Sequence, residues 1–359
     1  MKACLLQKVL IAPETAITLS ATEWDLLIRQ ARHAFLLARL SYLIDKVGIT
    51  EQLSEAVQRH LRSGKVLSNK QKTAVKWETE CIKKALVTTN IKPVFLKGGA
   101  YVYQDLPPMH GRIFSDVDIM VRKKDLELAE RALILNGWIR KALTKYDQTY
   151  YREWMHELPP LISRKRQTVL DLHHTILPPT ARITVNTEKL FENARECDGA
   201  YILAPIDMVL HSATHLFCDG ELEHGMRDLV DLDALFRHFG QQETGFWRNL
   251  IERAGEVGLT LPLFYAVHFS KRLLETPIPD DVVNKLPVMS PLKKKGMDFL
   301  LSRALLPDHV SCEDRFTDLA RWVLYVRSHY LRMPFYLLVP HLIRKAWKRR
   351  FDSEKDTAQ

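Results

Sequence analysis

Cysteine is scarce in this chain, and its scarcity argues against two classes of protein. The five cysteines are odd in number, lie far apart and form no C-x-x-C pair. Neither a disulfide framework nor a zinc knuckle is therefore predicted, and a reducing compartment, the cytoplasm, fits best. The cysteines are Cys4, Cys81, Cys197, Cys218 and Cys312.

Long apolar runs are also missing, so we expect no transmembrane helix. The apolar segment 335–339 lies between Pro334 and Pro340. It is far shorter than the roughly 20 residues that span a bilayer. Gln7 and Lys8 interrupt the short apolar stretch near the N-terminus, which argues against a signal peptide. The sequence has no Walker A motif, Rossmann fingerprint or G-x-S-x-G motif, so P-loop, dinucleotide-binding and α/β-hydrolase interpretations lack support.

Acidic residues are fewer than basic ones, and the formal net charge is +9. An excess of positive charge favours an anionic partner, which includes a nucleoside triphosphate, RNA, DNA or an anionic membrane surface. The hydrophobic fraction of 46% and the charged fraction of 26% are typical of a folded globular protein. At 359 residues, the chain is long enough for two or three domains.

The pattern along the chain predicts an α+β protein with helical regions at both ends. Ser20 and Glu23 form a capping-box signature, which opens a helical region extending to about residue 89. Residues 91–176 instead contain short β-rich segments and one helix. We predict strands at 93–96, 117–121 and 168–172, a helix at 124–135, and a further strand within 148–154, whose aromatic residues fill the second face of the sheet.

These patterns divide the chain into four predicted regions. They are a helical region at 1–89, a core at 90–198 with a small mixed sheet and flanking helices, a helical domain at 199–350, and a disordered tail at 351–359.

Three carboxylates and a pair of glycines are the features that carry chemistry. Asp116 and Asp118 alternate within an apolar run, so both side chains are predicted on one face of a strand. Two like charges held this close are most easily kept ionised by a divalent cation. Upstream, Gly98 and Gly99 lack Cβ atoms, which allows their backbone to approach a phosphate closely. Asp171 lies in a later predicted strand.

The order of these motifs resembles the DNA polymerase β-like nucleotidyltransferase superfamily. Within it, the chain is similar to the bacterial uncharacterised nucleotidyltransferase family, a relative of abortive-infection toxin nucleotidyltransferases. The resemblance is specific over Pro93–Ile176 and rests on segments 95–99, 111–119 and 169–174. It is weaker in the later helices, where Pro205-x-Asp207, His211-x-x-x-His215 and Arg227-Asp228-x-x-Asp231 match.

The resemblance implies a Mg²⁺-dependent enzyme that transfers NMP from an NTP to a hydroxyl acceptor and releases pyrophosphate. Asp116, Asp118 and Asp171 match the metal-binding acids, which would hold two Mg²⁺ ions about 4 Å apart, with Mn²⁺ as an alternative. Asp171 would also help to activate the acceptor hydroxyl, which belongs to RNA, a protein or peptide, or a small molecule. The superfamily's usual serine is replaced by Gly99, so backbone N–H groups, Lys97 or Ser115 would compensate.

The remaining implied roles concern the two substrates. Gly98 and Gly99 match the step that contacts the β and γ phosphates. Lys97 and Arg112 would neutralise charge on the leaving pyrophosphate. The candidates for the acceptor side are His173, His215 and Asp228.

Two other functions stay open on the sequence alone. One is a non-catalytic nucleotide- or RNA-binding module with a degenerate site. The other is a metal-dependent phosphohydrolase, since His211 and His215 stand four apart on one predicted helix face. The basic segment 344–351 is interpreted either as a solvated last helix or as a contact with RNA or an anionic membrane.

Overall fold

The computed structural model describes residues 4–140, 144–218, 222–287 and 289–340, without the side chains of 145 and 147. The basic segment 344–351 and the predicted tail 351–359 lie outside these ranges. The strands are β1 (Val94–Phe95), β2 (Asp116–Met120), β3 (Trp138–Arg140), β4 (Leu161–Ser163), β5 (Val169–His173), β6 (Arg195–Cys197) and β7 (Ala200–Ile202). The α-helices with defined bounds are α1 (Leu5–Ile11), α2 (Ala21–His33), α3 (Leu37–Lys46), α4 (Glu55–Leu86), α5 (Lys97–Tyr103), α6 (Leu126–Leu135), α7 (Lys145–Thr149), α8 (Thr187–Glu192), α9 (Pro205–Cys218), α10 (Gly225–Gln242), α11 (Phe246–Val257), α12 (Thr260–Leu274), α13 (Asp280–Lys285), α14 (Pro291–Ala304) and α15 (Thr317–Arg332).

One mixed sheet organises the fold, with the strand order β3-β4-β5-β2-β1-β7-β6. The pairs β2–β5 and β1–β7 are parallel, and the other neighbours are antiparallel. Helices precede and follow the strand-containing segment in the chain, so the predicted α+β class is confirmed. The two longest described strands, β2 and β5, lie side by side at its centre.

The predicted strands at 93–96, 117–121 and 168–172 are present as β1, β2 and β5. The predicted strand within 148–154 is wrong, because this segment is helical. Helix α7 runs into a π-helix, Tyr150–Trp154. Helical spacing lets Arg152 donate to Gln148 four residues earlier, at 3.1 Å, and to Glu130 of α6 at 3.0 Å. Tyr146 and Trp154 meet edge to face, with ring centroids 5.9 Å apart, so they pack on each other within this helical segment.

Helix α2 begins at the predicted capping box, and helix α1 precedes it at Leu5–Ile11, where the sequence pattern had not indicated a helix. Ser20 caps α2 by accepting from the backbone N–H of Glu23, and the Glu23 carboxylate accepts from the backbone N–H of Ser20. Helix α4, 32 residues long, packs along α3 and reaches both α5 and β2. Two of its polar side chains, one buried and one half-buried, then hold the loop that leads into β2. Ser68 Oγ donates to the carbonyl of Arg112 at 3.0 Å, and Gln71 accepts from the N–H of Phe114 at 2.9 Å.

Among the C-terminal helices, α9 packs against α5 and also contacts α10, α11 and α12. One buried apolar cluster runs from Leu6 in α1 through Ile119 in β2 to Leu324 in α15. The regional boundaries at 89, 198 and 350 stay a prediction. Within the described ranges, no helix is both long and apolar enough to cross a bilayer.

Candidate active site

The register of the central strands brings the three predicted acids together. Asp118 of β2 pairs with Asp171 of β5, and Asp116 lies two residues before Asp118. Because side chains alternate along a strand, all three carboxylates occupy the same face of the sheet. The alternate residues Val117 and Ile119 are buried on the other face. Apolar alternation therefore fixes the direction in which the acids point.

The charges around these carboxylates change their affinity for protons. Burial and the neighbouring Asp118 charge raise the pKa of Asp116. Burial, Asp118 and Glu157 raise the pKa of Asp171 well above its ordinary value. Burial alone would also raise the pKa of Asp118, but Lys97 and a hydrogen bond from His173 outweigh it, and the pKa falls below its usual range. The Oδ1 atom of Asp171 is buried without a hydrogen-bond partner. The site therefore holds a carboxylate, Asp171, whose charged form is disfavoured by burial and by the neighbouring acids.

Lys97 supplies the nearby positive charge from the start of α5. Its charge lowers the pKa of both Asp116 and Asp118, which places its ammonium group within electrostatic reach of them. Its backbone has φ = +36°, in the left-handed region that a lysine rarely adopts. Such strain costs about 1–3 kcal/mol and persists only where the surrounding structure holds it. Here the residue is held between strand β1 and the first turn of α5.

The two glycines after Lys97 have different surroundings. A Cβ atom on Gly98 would lie 2.8 Å from Cδ1 of Phe114 and 3.1 Å from Nη1 of Arg112. A Cβ atom on Gly99 would meet Phe95 at 3.4 Å and Val117 at 3.7 Å, which is ordinary van der Waals contact. Close packing therefore requires glycine at position 98 and does not require it at position 99.

Arg112 is buried beneath this turn and is paired with a carboxylate of α10. Its Nε atom donates to Asp231 at 2.7 Å, and the two side chains are 9% and 6% exposed. The guanidinium also lies over the ring of Phe114, 5.2 Å from its centroid. The structure thus packs Arg112 against Gly98 and Phe114. The contact of Arg112 with a phosphate stays a prediction. Ser115 is exposed immediately before Asp116 and hydrogen-bonds it, which lowers the pKa of that carboxyl.

His173 follows Asp171 on the same face of β5 and connects the acids to a segment that the sequence did not single out. Its Nε2 atom lies 3.1 Å from Oδ1 of Asp118, and its Nδ1 atom lies 3.6 Å from Oε2 of Glu157. Burial lowers the pKa of His173, but the Asp118 hydrogen bond and the Glu157 charge raise it to about 9.

Glu157 and His156 are functional candidates that sequence reasoning missed. They follow the π-helix, and an isolated antiparallel bridge pairs Glu157 with His173. His156 stacks near His173 with ring centroids 5.3 Å apart. In the sequence, the adjacent histidine and glutamate were the only local feature that could have indicated this part of the site. Their pairing with β5 is a tertiary contact that no local pattern reveals.

The helices α9 and α10 bring the remaining predicted residues toward the site. His215 of α9 contributes to the low pKa of Asp118, and its Nδ1 atom lies 3.6 Å from Oδ2 of Asp228. Burial would raise the pKa of Asp228, but Arg227 and His215 lower it instead. His211 is buried, and burial together with Lys97 and His215 holds its pKa well below the ordinary value. This histidine is therefore neutral at pH 7.

The histidines that could hold a metal differ from those predicted for a phosphohydrolase. Across the described ranges, the metal-ligating side chains that lie within 4.8 Å of one another are those of His156, Glu157 and His173. Among these residues, no such group is formed by His211 and His215 or by the three acids Asp116, Asp118 and Asp171.

One family of known proteins matches most of the chain. The family model described as "Uncharacterised nucleotidyltransferase" matches residues 20–275, which include every residue discussed at the site. A search of curated proteins found no match.

Proposed function

Since the chain belongs to the family of uncharacterised nucleotidyltransferases, we propose that it transfers NMP from an NTP to a hydroxyl acceptor in a Mg²⁺-dependent reaction. The observation that carries this proposal is the in-register pair Asp118 and Asp171, with Asp116 on the same face. The acceptor hydroxyl oxygen bonds to the α-phosphorus, the bond from that phosphorus to the β-phosphate oxygen breaks, and pyrophosphate leaves.

The donor set of the three acids fits a hard divalent cation. Carboxylate oxygens are the ligands that Mg²⁺ prefers. The buried Oδ1 atom of Asp171 has no hydrogen-bond partner, and the pKa values of Asp116 and Asp171 are raised by burial and by like charge. We propose that Asp116, Asp118 and Asp171 hold the metal. When bound, Mg²⁺ would offset the triphosphate's charge and stabilise the attacking and leaving oxygens.

The chain's own cations complete the NTP side of the proposal. Lys97 stands close enough to Asp116 and Asp118 to lower their pKa values, so its ammonium group can also contact the phosphates of an NTP bound beside them. The first turn of α5 has N–H groups without intrahelical acceptors. Arg112 packs against Gly98 and Phe114, so we propose that it positions the glycine turn.

The acceptor side is proposed to lie between β5 and α9. Asp171 is also proposed to help activate the acceptor hydroxyl by taking its proton, because burial and Asp118 raise the affinity of this carboxylate for a proton, as its raised pKa indicates. We propose that His215, whose Nδ1 atom lies 3.6 Å from Oδ2 of Asp228 and whose charge lowers the pKa of Asp118, contacts the acceptor. His211 is neutral there and adds no repulsion against Lys97.

Labelled NTPs test this proposal. Full-length protein is incubated with Mg²⁺, NTPs labelled at the α-phosphorus, and pools of RNA, protein or small metabolites. We expect label to join one pool and pyrophosphate to appear in equal amount. Asp116→Asn and Asp118→Asn should reduce transfer by more than about 100-fold.

Asp198→Asn is the matched control, because its carboxylate is 82% exposed and lies in the turn between β6 and β7. It should transfer label like the wild type. Transfer that persists in Asp118→Asn would contradict the site. Mg²⁺-independent NTP binding without turnover would instead support the non-catalytic binding module.

A further inference from the structure

A histidine shared between two carboxylates lies behind the three acids. His173 is 8% exposed, and its two ring nitrogens face Asp118 and Glu157. An ionised carboxylate can only accept hydrogen bonds, so Nε2 carries the proton that is donated to Asp118 at 3.1 Å. The other ring nitrogen, Nδ1, is directed at the Glu157 carboxylate, and a metal ion bound there would take the place of a proton on this nitrogen.

The Nδ1 atom of His173 is buried and has no hydrogen-bond partner. Its distance of 3.6 Å to Oε2 of Glu157 is too long for a hydrogen bond. His156 approaches the same oxygen from another side, with its Nε2 atom 3.8 Å away. A cation bound between these three side chains would contact all of them and would give the buried Nδ1 atom of His173 a partner.

These distances are close to those around a bound transition metal. Zinc bonds of about 2.0–2.2 Å in a tetrahedral site place neighbouring ligand atoms about 3.4 Å apart. Ligand atoms of His156, Glu157 and His173 all lie within 4.8 Å of one another, and the two distances to Glu157 are 3.6 and 3.8 Å. Small side-chain rotations would close the remaining gap.

The hydrogen bond to Asp118 is a second and independent indication. A metal-ligating histidine almost always donates its other ring N–H to a carboxylate or carbonyl, which fixes the tautomer and orients the ring. His173 has this arrangement, with Nε2 on Asp118 and Nδ1 open toward Glu157 and His156. Two imidazoles and one carboxylate suit zinc, whereas the all-oxygen set of Asp116, Asp118 and Asp171 suits Mg²⁺.

We propose that His156, Glu157 and His173 bind one Zn²⁺ ion, with water in the fourth position, at a site separate from the three acids. The ion would tie the segment after the π-helix to β5 and would fix the ring that hydrogen-bonds Asp118. His173 would thereby act as a positioning residue for Asp118. This site depends on its own three ligands, whether or not the chain transfers nucleotides.

Metal content tests the proposal without any nucleotide. Purified full-length protein is stripped with a chelator, reloaded with ZnSO₄ in excess Mg²⁺, desalted and analysed by elemental mass spectrometry. We expect one zinc per chain in the wild type, and an affinity at least about tenfold lower in His156→Asn and Glu157→Gln. His174→Asn is the matched control, because this neighbouring buried histidine hydrogen-bonds the Met155 carbonyl and lies outside the group.

Two further measurements separate this site from the proposed active site and from misfolding. Asp116→Asn should keep its zinc while losing transfer, so failure of either proposal is visible independently. Wild-type protein loaded with Co²⁺ should show the visible absorption bands of a tetrahedral site, which needs no variant to fold. Absence of these bands, or a zinc content that does not change in His156→Asn, would overturn the proposal in favour of a proton at Nδ1.

Discussion

Asp118 on β2 stands directly opposite Asp171 on β5 in a parallel register. Like charges facing each other across neighbouring strands destabilise a sheet by up to about 1 kcal/mol. Without a metal, we therefore expect Asp171→Asn to raise the free energy of unfolding at pH 7 by about 1 kcal/mol. Urea denaturation in EDTA measures this difference. The same variant should lose nucleotidyl transfer.

The stabilisation by Asp171→Asn should depend on pH in a defined direction. The pKa of Asp171 is raised in the folded protein, so the folded state binds this proton more tightly than the unfolded chain. Wild-type stability therefore falls as pH rises from about 4, the unfolded value, through the folded value. Because the variant lacks this titration, its advantage grows over that window. An advantage that is constant with pH would contradict the like-charge explanation.

Mg²⁺ should reverse the order of stability. A ligand that binds only the folded state stabilises it in proportion to the logarithm of its concentration. We expect millimolar Mg²⁺ to raise the melting temperature of the wild type and to leave that of Asp171→Asn nearly unchanged. Scanning calorimetry with Mg²⁺, and with K⁺ at matched ionic strength as the control, measures the effect. Equal shifts in both proteins would exclude Asp171 as a ligand.

The buried pair of Arg112 and Asp231 should be needed for stability. Removing one partner of a buried ion pair leaves an uncompensated charge and costs about 3–5 kcal/mol. We therefore expect Asp231→Asn to lower the free energy of unfolding by about 3 kcal/mol. The control is Asp25→Asn, since Asp25 pairs with Arg29 at the same 2.7 Å but both side chains are more than half exposed. A loss of similar size in both variants would contradict the role of burial.

The sequence predicted those parts of the site that depend on local pattern. The alternation of Asp116 and Asp118 with apolar residues sets their face, and β2 and β5 are long enough to give a clear signal. Strands β3 and β4 went unpredicted because each has three residues and forms only when Trp138 pairs with Ser163, far along the chain. In 148–154, the helical contact of Arg152 with Gln148 and its ion pair with Glu130 of α6 overrode the β propensity of the aromatic residues.

Long-range pairings account for the rest of what the sequence did not predict. Arg112 meets Asp231, which is 119 positions later, and no local pattern couples the two. Glu157 reaches His173 through an isolated bridge that only the folded sheet creates. Motif reasoning found the carboxylates on adjacent strands but had no means of finding partners that arrive from a loop or from α10.

Lys97 should matter for catalysis through its charge. Lys97→Gln removes the ammonium group that lowers the pKa of Asp116 and Asp118, while the side chain keeps nearly the same length. We expect transfer to fall by about 100-fold, as for loss of one charge-stabilising group. Label transfer at saturating NTP measures this. Lys92→Gln is the control, because Lys92 is exposed and bonds only to Tyr201 among the described contacts. Equal activity of Lys97→Gln and the wild type would remove Lys97 from the site.

Alanine at each of the two neighbouring glycines should give opposite effects on stability. The Cβ atom of Gly98→Ala would lie 2.8 Å from Phe114, whose ring is confined by Arg112. Such overpacking typically costs about 1–3 kcal/mol. Gly99→Ala meets its nearest neighbour at 3.4 Å, so the added methyl group fits. Alanine also has the higher helix propensity in α5, by up to about 1 kcal/mol.

We therefore expect Gly98→Ala to lower the free energy of unfolding and Gly99→Ala to preserve or raise it. Chemical denaturation of both variants beside the wild type measures this. Transfer assays on the same samples then separate packing from phosphate binding. If Gly99→Ala is stable but has a raised KM for NTP, the loss lies in the approach of the backbone to phosphate, because its packing is intact. A destabilised Gly99→Ala beside an unaffected Gly98→Ala would contradict the packing described for this turn.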